Sequence, residues 1–278
     1  MNIIQAIILG AVQGLTELLP ISSSAHIQIF PWLFNWGVEA TESFEVALHI
    51  GTLLSILVFF YKDWIELIKG GYKQAFKKQK SLEGKIFWQI FVATIIAGVV
   101  CLVLDKISGN IIESIAGKLG VEKISVEMVC IAISLIVMGI VLYVVDKKSK
   151  SNLKYENITL KQSILIACSQ AIAAAFPGVS RSGITMTIGR SFGIDRESIA
   201  KYSFLLSAPI VAAAAIYELK DMFTLSLPAV LAGIIVSFAV GMFVIKFLLN
   251  YLKKGSFKVF AIYRVILGII IIAICIIR

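Results

Sequence analysis

The chain has 278 residues, 59% of them hydrophobic and only 15% charged, with a formal net charge of +9. Soluble domains carry about 25% charged residues, so this composition and a mean hydropathy of +0.92 exclude a soluble globular protein and specify an integral membrane protein. The positive excess is gathered into a few short clusters between apolar stretches, the signature of cytoplasmic loops, so nucleic acid is not an expected partner.

The first segment, Met1 to about Trp36, is a pair of short apolar stretches broken at Pro20-Ile21-Ser22-Ser23-Ser24. Met1–Leu19 has no basic leader and no small-residue cleavage site, so it is not expected to be a signal peptide. The aromatic cluster Phe30, Trp32, Phe34 and Trp36 predicts an interfacial belt at the outer mouth. Three full spans follow, roughly Phe44–Tyr61, Ile86–Leu104 and Ser125–Val145, each long enough for a bilayer core of about 30 Å. A lysine-rich loop at 62–85 (Lys62, Lys69, Lys73, Lys77, Lys78, Lys80, Lys85) reads as a solvated basic surface with an affinity for anionic lipid, and a second basic loop lies at 146–161.

A second broken segment, Gln162 to about Gly193, is followed by spans at Ile199–Tyr217, Leu225–Leu249 and Phe257–Ile277. If each broken segment is a hairpin that enters and leaves on one side, all lysine-rich loops, including Lys253, Lys254 and Lys258, face the cytoplasm. The outer loops 27–43, 105–124 and 218–224 then keep only Lys106, Lys118, Lys123 and Lys220, with Arg278 outside. Arg264, seven residues into the last span, is expected to snorkel to the cytoplasmic interface or to serve the site. Cys101, Cys130, Cys168 and Cys275 have no paired spacing and read as small apolar fillers.

The two breaks resemble each other. Gln13, Pro20, Ser23 and Ser24 match Gln170, Pro177, Ser180 and Arg181 at a constant offset of 157 residues (170 minus 13). With three spans after each hairpin, the copies have opposite orientation. The expected fold is therefore all-α and polytopic: one membrane domain of six transmembrane helices and two re-entrant hairpins, with inverted repeats at about 1–147 and 158–278. Irregular backbone at membrane depth is tolerated only where it is buried in protein or lines a cavity.

Arg181 is the costliest residue in this arrangement, since a charge at membrane depth costs from ~3 to more than ~10 kcal/mol. Around it, Ser180, Ser182 and Thr185 supply hydroxyls, while Gly178 and Gly183 let backbone N–H groups approach an anion. In the first break, Gln13 and Glu17 share a helix face, and Ser22, Ser23, Ser24 and His26 follow the proline. A carboxylate, hydroxyls and an imidazole can act as base, nucleophile and acid, and the arginine fork suits phosphate oxygens. Glu45 and His49, one turn apart on the first full span, could extend the pocket or simply serve helix packing.

These motifs resemble the undecaprenyl-diphosphate phosphatase family, the bacitracin-resistance phosphatases, over the whole chain. The resemblance is carried by Gln13–Glu17 (E/Q-x3-E), by Pro20–His26 and above all by Pro177–Thr185 (PGxSRSxxT). It implies removal of the terminal phosphate from a C55 polyprenyl diphosphate in the bacterial plasma membrane, at an outward-facing site, with recycling of the lipid carrier for peptidoglycan synthesis. It also implies a divalent cation, Mg²⁺ or Ca²⁺, with Glu17 as a candidate ligand. By motif position Glu17, Ser23, His26 and Arg181 form the catalytic set. Gln13, Ser22, Ser24, Gly178, Ser180, Ser182, Gly183 and Thr185 stand around the phosphates. Many members carry Glu at the place of Gln13, so Glu17 must be the principal carboxylate here. The partners implied are the lipid substrate and the surrounding membrane lipids, with a homodimer left open.

Two readings compete on the residues alone. A lipid-phosphate or anion transporter would need the arginine-hydroxyl pocket and an inverted repeat. Only an enzyme needs Glu17 and His26 beside the serines. Which of Ser23, His26 or water attacks phosphorus is not decided by the sequence.

Overall fold

Within a bilayer the backbone must satisfy its own hydrogen bonds, which α-helices do within one segment and β-strands only in a closed barrel. The computed structural model describes residues 1–37, 41–119 and 122–277, which hold thirteen α-helices and no strand. The first half contains α1 (Ile3–Thr16), α2 (Ser23–Leu33), α3 (Glu42–Phe59), α4 (Tyr61–Lys77), α5 (Leu82–Leu119) and α6 (Lys123–Lys148). The second contains α7 (Leu160–Cys168), α8 (Gln170–Ala175), α9 (Arg181–Ser191), α10 (Arg196–Tyr217), α11 (Leu219–Met222), α12 (Leu227–Leu252) and α13 (Lys258–Ile277).

Six helices are long and apolar enough to cross a membrane: α3, Leu82–Leu104 of α5, α6, α10, α12 and α13. They coincide with the six spans expected from hydropathy. The remaining apolar helices are short. At about 1.5 Å per residue, α1 and α2 reach only about 21 and 16 Å. Capping boxes fix where the two broken segments begin, Asn2 with Gln5 before α1 and Thr159 with Gln162 before α7.

Four expectations about connections are corrected. Of the expected loop 27–43, residues 27–33 belong to α2. Residues 62–77 belong to α4 rather than to a loop. This helix buries Leu67, Gly70 and Gly71 against α5, while Tyr61, Ile65, Ile68, Tyr72 and Phe76 form an exposed apolar stripe beside the lysines. The expected loop 105–124 is largely helix, because α5 runs on to Leu119. The 218–224 connection likewise contains α11. In the aromatic cluster, Phe30 and Trp36 pack beside α1, Trp32 packs toward α6, and Phe34 is exposed. The four cysteines are half-buried. Arg278 lies outside the described residues.

Helix α1 packs along α12, α7 and α8 pack along α5, α6 runs against α13, and α3 meets α10. Small residues permit the close approaches. A Cβ added at Gly10 would sit 2.6 Å from the Gly233 carbonyl oxygen, and one at Gly268 would sit 2.7 Å from the Ala132 carbonyl oxygen. Near the lysine-rich ends, buried Asp146 closes α6 onto three other helices. It accepts from Arg190 Nε (2.8 Å), Arg196 Nε (2.8 Å) and the Phe257 backbone N–H (3.2 Å). Removing one member of such a buried group would strand the others, so this cluster fixes the end of α9 against α6.

Candidate active site

Each broken segment turns by the same device. α1 ends after Thr16, and Glu17 keeps helical backbone with its N–H on the Gln13 carbonyl (2.9 Å). Proline at position 20 cannot continue the helix. The next helix is then capped by Ser22, at φ 77° and ψ 97°, whose Oγ accepts from the Ala25 N–H (3.4 Å). In the second segment Ser180, at φ 71° and ψ 114°, caps α9 by accepting from the Gly183 N–H (3.1 Å). Positive φ at a non-glycine residue costs on the order of 1–3 kcal/mol and persists only where the surroundings impose it.

The structural equivalence differs by one residue from the match between the two breaks in sequence. The prolines are 157 apart (177 minus 20), but the caps are 158 apart (180 minus 22). Gly178 accounts for the extra residue. It sits at φ 91°, and a Cβ there would lie 2.7 Å from the Ile131 carbonyl oxygen. Ser22 therefore corresponds to Ser180, and Ser23 to Arg181, each the first residue of its helix.

Those two first residues hold one carboxylate. Ser23 Oγ donates to Glu17 Oε2 (2.5 Å), and Arg181 Nη2 donates to Glu17 Oε1 (2.9 Å). Gln13 Nε2 supports Oε2 from the preceding turn (3.3 Å). Beside this group lies a cavity of about 250 Å³, lined by Ser23, Ser24, His49, Gln170, Ser180 and Arg181 among others. The N-termini of α2 and α9, whose leading N–H groups lack helical acceptors, start at this cavity and favour an anion.

The other expected site residues are engaged differently. Ser182 Oγ donates to the carbonyls of Glu17 and Leu19 (both 3.0 Å), fastening α9 to the first turn. Thr185 Oγ1 donates within its own helix to the Arg181 carbonyl (3.0 Å) and meets Ser203 Oγ (2.7 Å). Gly183 and Ser22 serve the caps, and the Gly178 carbonyl accepts from Arg264. His26 stands apart from the cavity. Its Nδ1 faces the Ser22 carbonyl (2.6 Å), its Nε2 faces Tyr263 Oη (2.7 Å), and the two rings stack 7° from parallel. Glu45 lies one turn before His49, whose Nδ1 takes the Glu45 carbonyl (2.7 Å).

Three placements left open by the sequence are fixed by the structure. His49 Nε2 lies 3.2 Å from Glu17 Oε2, so the imidazole beside the carboxylate comes from α3. Gln170 lines the cavity with a buried Oε1 that has no protein partner, and its match with Gln13 was the available signal. Arg264 does not snorkel. It is fully buried and donates to the carbonyls of Pro20 (3.1 Å), Gly178 (3.0 Å) and Val179 (2.9 Å), which joins the two breaks. The backbone turns leave those carbonyls without helical donors, and only a long multi-donor cation from α13 reaches all three.

A family model described as bacitracin resistance protein BacA matches residues 6–270. A protein of Caldicellulosiruptor bescii named undecaprenyl-diphosphatase is 44% identical over 281 residues, covering 100% of this chain and 99% of its own. Proteins of the same name from Moorella thermoacetica and Pelotomaculum thermopropionicum are 39% and 41% identical, covering 99% and 98% of this chain and 98% and 96% of their own.

Proposed function

The chain belongs to the BacA family of bacitracin resistance proteins, and we propose that it hydrolyses undecaprenyl diphosphate to undecaprenyl phosphate and phosphate. The observation that carries this reading is the Glu17 carboxylate, which holds a hydroxyl on one oxygen and a guanidinium on the other beside a cavity that Ser23 and Arg181 also line. A site that only bound and released anions would need the guanidinium but no carboxylate on the serine.

Ser23 Oγ attacks the terminal phosphorus as Glu17 takes its proton. The bond from that phosphorus to the bridging oxygen breaks, and undecaprenyl phosphate leaves with the electron pair. Water then attacks the phosphoserine, phosphate departs, and a proton returns to Ser23 Oγ. Arg181 and the leading N–H groups of α2 and α9 meet the charge on the equatorial oxygens, the dominant requirement of phosphoryl transfer. Ser24 and Ser180 line the same cavity and serve the phosphates. With both ring nitrogens engaged elsewhere, His26 holds the first turn against α13 rather than attacking.

The residues present fit a divalent cation, Mg²⁺ or Ca²⁺, that arrives with the diphosphate. Among the described residues no group of three or more His, Cys, Asp or Glu could hold a metal, whereas the orphaned Gln170 Oε1 at the cavity and Glu17 offer hard oxygen ligands. When bound, such a cation neutralises phosphate charge.

We further place the protein in the plasma membrane with both termini outside and the cavity opening outward. The lysines of α4, of the 147–161 connection and around α12–α13 support that orientation. α1–α2 and α7–α9 are then re-entrant hairpins of inverted repeats at about 1–147 and 158–278. Their short lengths, the matching serine caps, and the exchange of α1 on α12 for α7–α8 on α5 support this. The decisive experiment is phosphate release from undecaprenyl diphosphate by purified protein. Release that falls on adding a chelator is expected. Its absence at saturating substrate and cation would overturn the assignment.

A further inference from the structure

Glu17 Oε2 is approached by three donors, and the one whose role is unassigned is His49. Its ring is fixed at both ends: Nδ1 lies 2.7 Å from the Glu45 carbonyl oxygen on its own helix, and Nε2 lies 3.2 Å from Glu17 Oε2. An oxygen acceptor faces each ring nitrogen, and a ring that donates to both carries a proton on each, as the imidazolium. Its position along α3 is set in turn by Gly51, where a Cβ would stand 2.5 Å from the Ile234 carbonyl oxygen of α12. His49 therefore reaches the carboxylate from a rigidly packed transmembrane helix, whereas Glu17 itself follows the last turn of a broken one.

A carboxylate in that place needs support. Arg181 holds Oε1, but the two remaining contacts on Oε2 are the substrate-side hydroxyl of Ser23 and the longer Gln13 amide at 3.3 Å. When Ser23 gives up its proton and turns to phosphorus, Oε2 loses its shortest contact. We propose that His49 is a positioning residue for phosphoryl transfer: its Nε2–H keeps the Glu17 carboxylate aimed at Ser23 while that hydroxyl reacts. The proposal rests on the hydrolase reading above. It asks only for a donor at the Nε2 position, so a neutral amide placed there should serve.

Two amide substitutions separate the ring's two ends. Gln places its amide nitrogen near the Nε2 position and reaches Glu17; Asn places it near Nδ1 and reaches only the Glu45 carbonyl. Phosphate release would be measured for wild type, Glu17→Gln, His49→Gln and His49→Asn, with thermal unfolding of each in detergent. Misplacing a reacting group by about 1 Å costs on the order of 100-fold, so kcat of His49→Asn should fall roughly 10- to 100-fold while KM stays within about threefold. His49→Gln should recover to within about fivefold of wild type, with phosphoserine forming at a comparable rate. Equal turnover by His49→Asn and wild type would overturn the proposal, as would a His49→Gln no more active than His49→Asn while both melt like wild type. If His49→Asn melts early, failure of a stable His49→Gln to exceed Glu17→Gln would overturn it as well. An inactive wild type would instead sink the hydrolase reading, so the two failures are told apart.

Discussion

Ser23 and Arg181, 158 residues apart (181 minus 23), occupy the same place in two equivalent turns and hold opposite oxygens of Glu17. Each is the first residue of a helix capped by a serine at positive φ. The pairing divides the chemistry: one break contributes the hydroxyl and the carboxylate, the other the guanidinium. Neither break alone holds both oxygens of the carboxylate.

Arg181→Ala should lower turnover by at least about 100-fold, because losing a charge clamp on the transferring phosphoryl group costs on the order of 3 kcal/mol or more. Arg181→Lys should be nearly as poor, since a point charge cannot hold Glu17 and phosphate oxygens together. Phosphate release by the purified variants, alongside their expression level, checks this. An alanine variant with more than a tenth of wild-type turnover would remove Arg181 from the reacting group.

Glu17→Gln should be far more damaging than Gln13→Ala. The first replaces the carboxylate that accepts the Ser23 hydroxyl's hydrogen bond and is proposed as its base; the second removes only a 3.3 Å supporting amide. A net hydrogen bond contributes about 1 kcal/mol, so Gln13→Ala should cost less than about tenfold. Gln13→Glu should be tolerated, because Arg181 and His49 already face the neighbouring carboxylate. Comparable turnover in Glu17→Gln and Gln13→Ala would show that the carboxylate is not the base.

Arg264→Leu should lower both thermal stability and turnover. It leaves the carbonyls of Pro20, Gly178 and Val179 buried without a donor, at about 1–3 kcal/mol each, and frees the two breaks to separate. Lysine at this position should recover part of the stability, since one ammonium can reach some of the three acceptors. A melting temperature unchanged in Arg264→Leu would mean that other contacts join the two breaks.

Single cysteines at Asn35 and Lys77, in a background lacking Cys101, Cys130, Cys168 and Cys275, test the orientation. Both positions are exposed, one after α2 and the other at the end of α4. An impermeant thiol reagent should label Asn35→Cys in intact cells and Lys77→Cys only after lysis. The reverse pattern would place the cavity on the cytoplasmic side.

Hydropathy alone located the six spans, because a bilayer demands about 20 consecutive apolar residues and that demand is local. Proline and serine marked both breaks for the same reason: they act on the backbone next to them. The amphipathic period of α4, with Tyr61, Ile65, Ile68, Tyr72 and Phe76 on one face, was equally local and was hidden by the density of lysines. What the residues could not disclose is which side chains from different helices converge. The chain has two histidines, and proximity along the chain favoured His26 as the partner of Glu17. Packing of α3 against α1 and α12 instead brings His49 to the carboxylate and leaves His26 stacked on Tyr263. Arg264 looked like an interfacial cation because its helix position alone was visible, not the three carbonyls waiting in the turns. Local patterns determined the spans, the breaks and the motif residues. Only tertiary packing decided which helix faces meet, because helices far apart in sequence settle their contacts through the small residues at their interfaces.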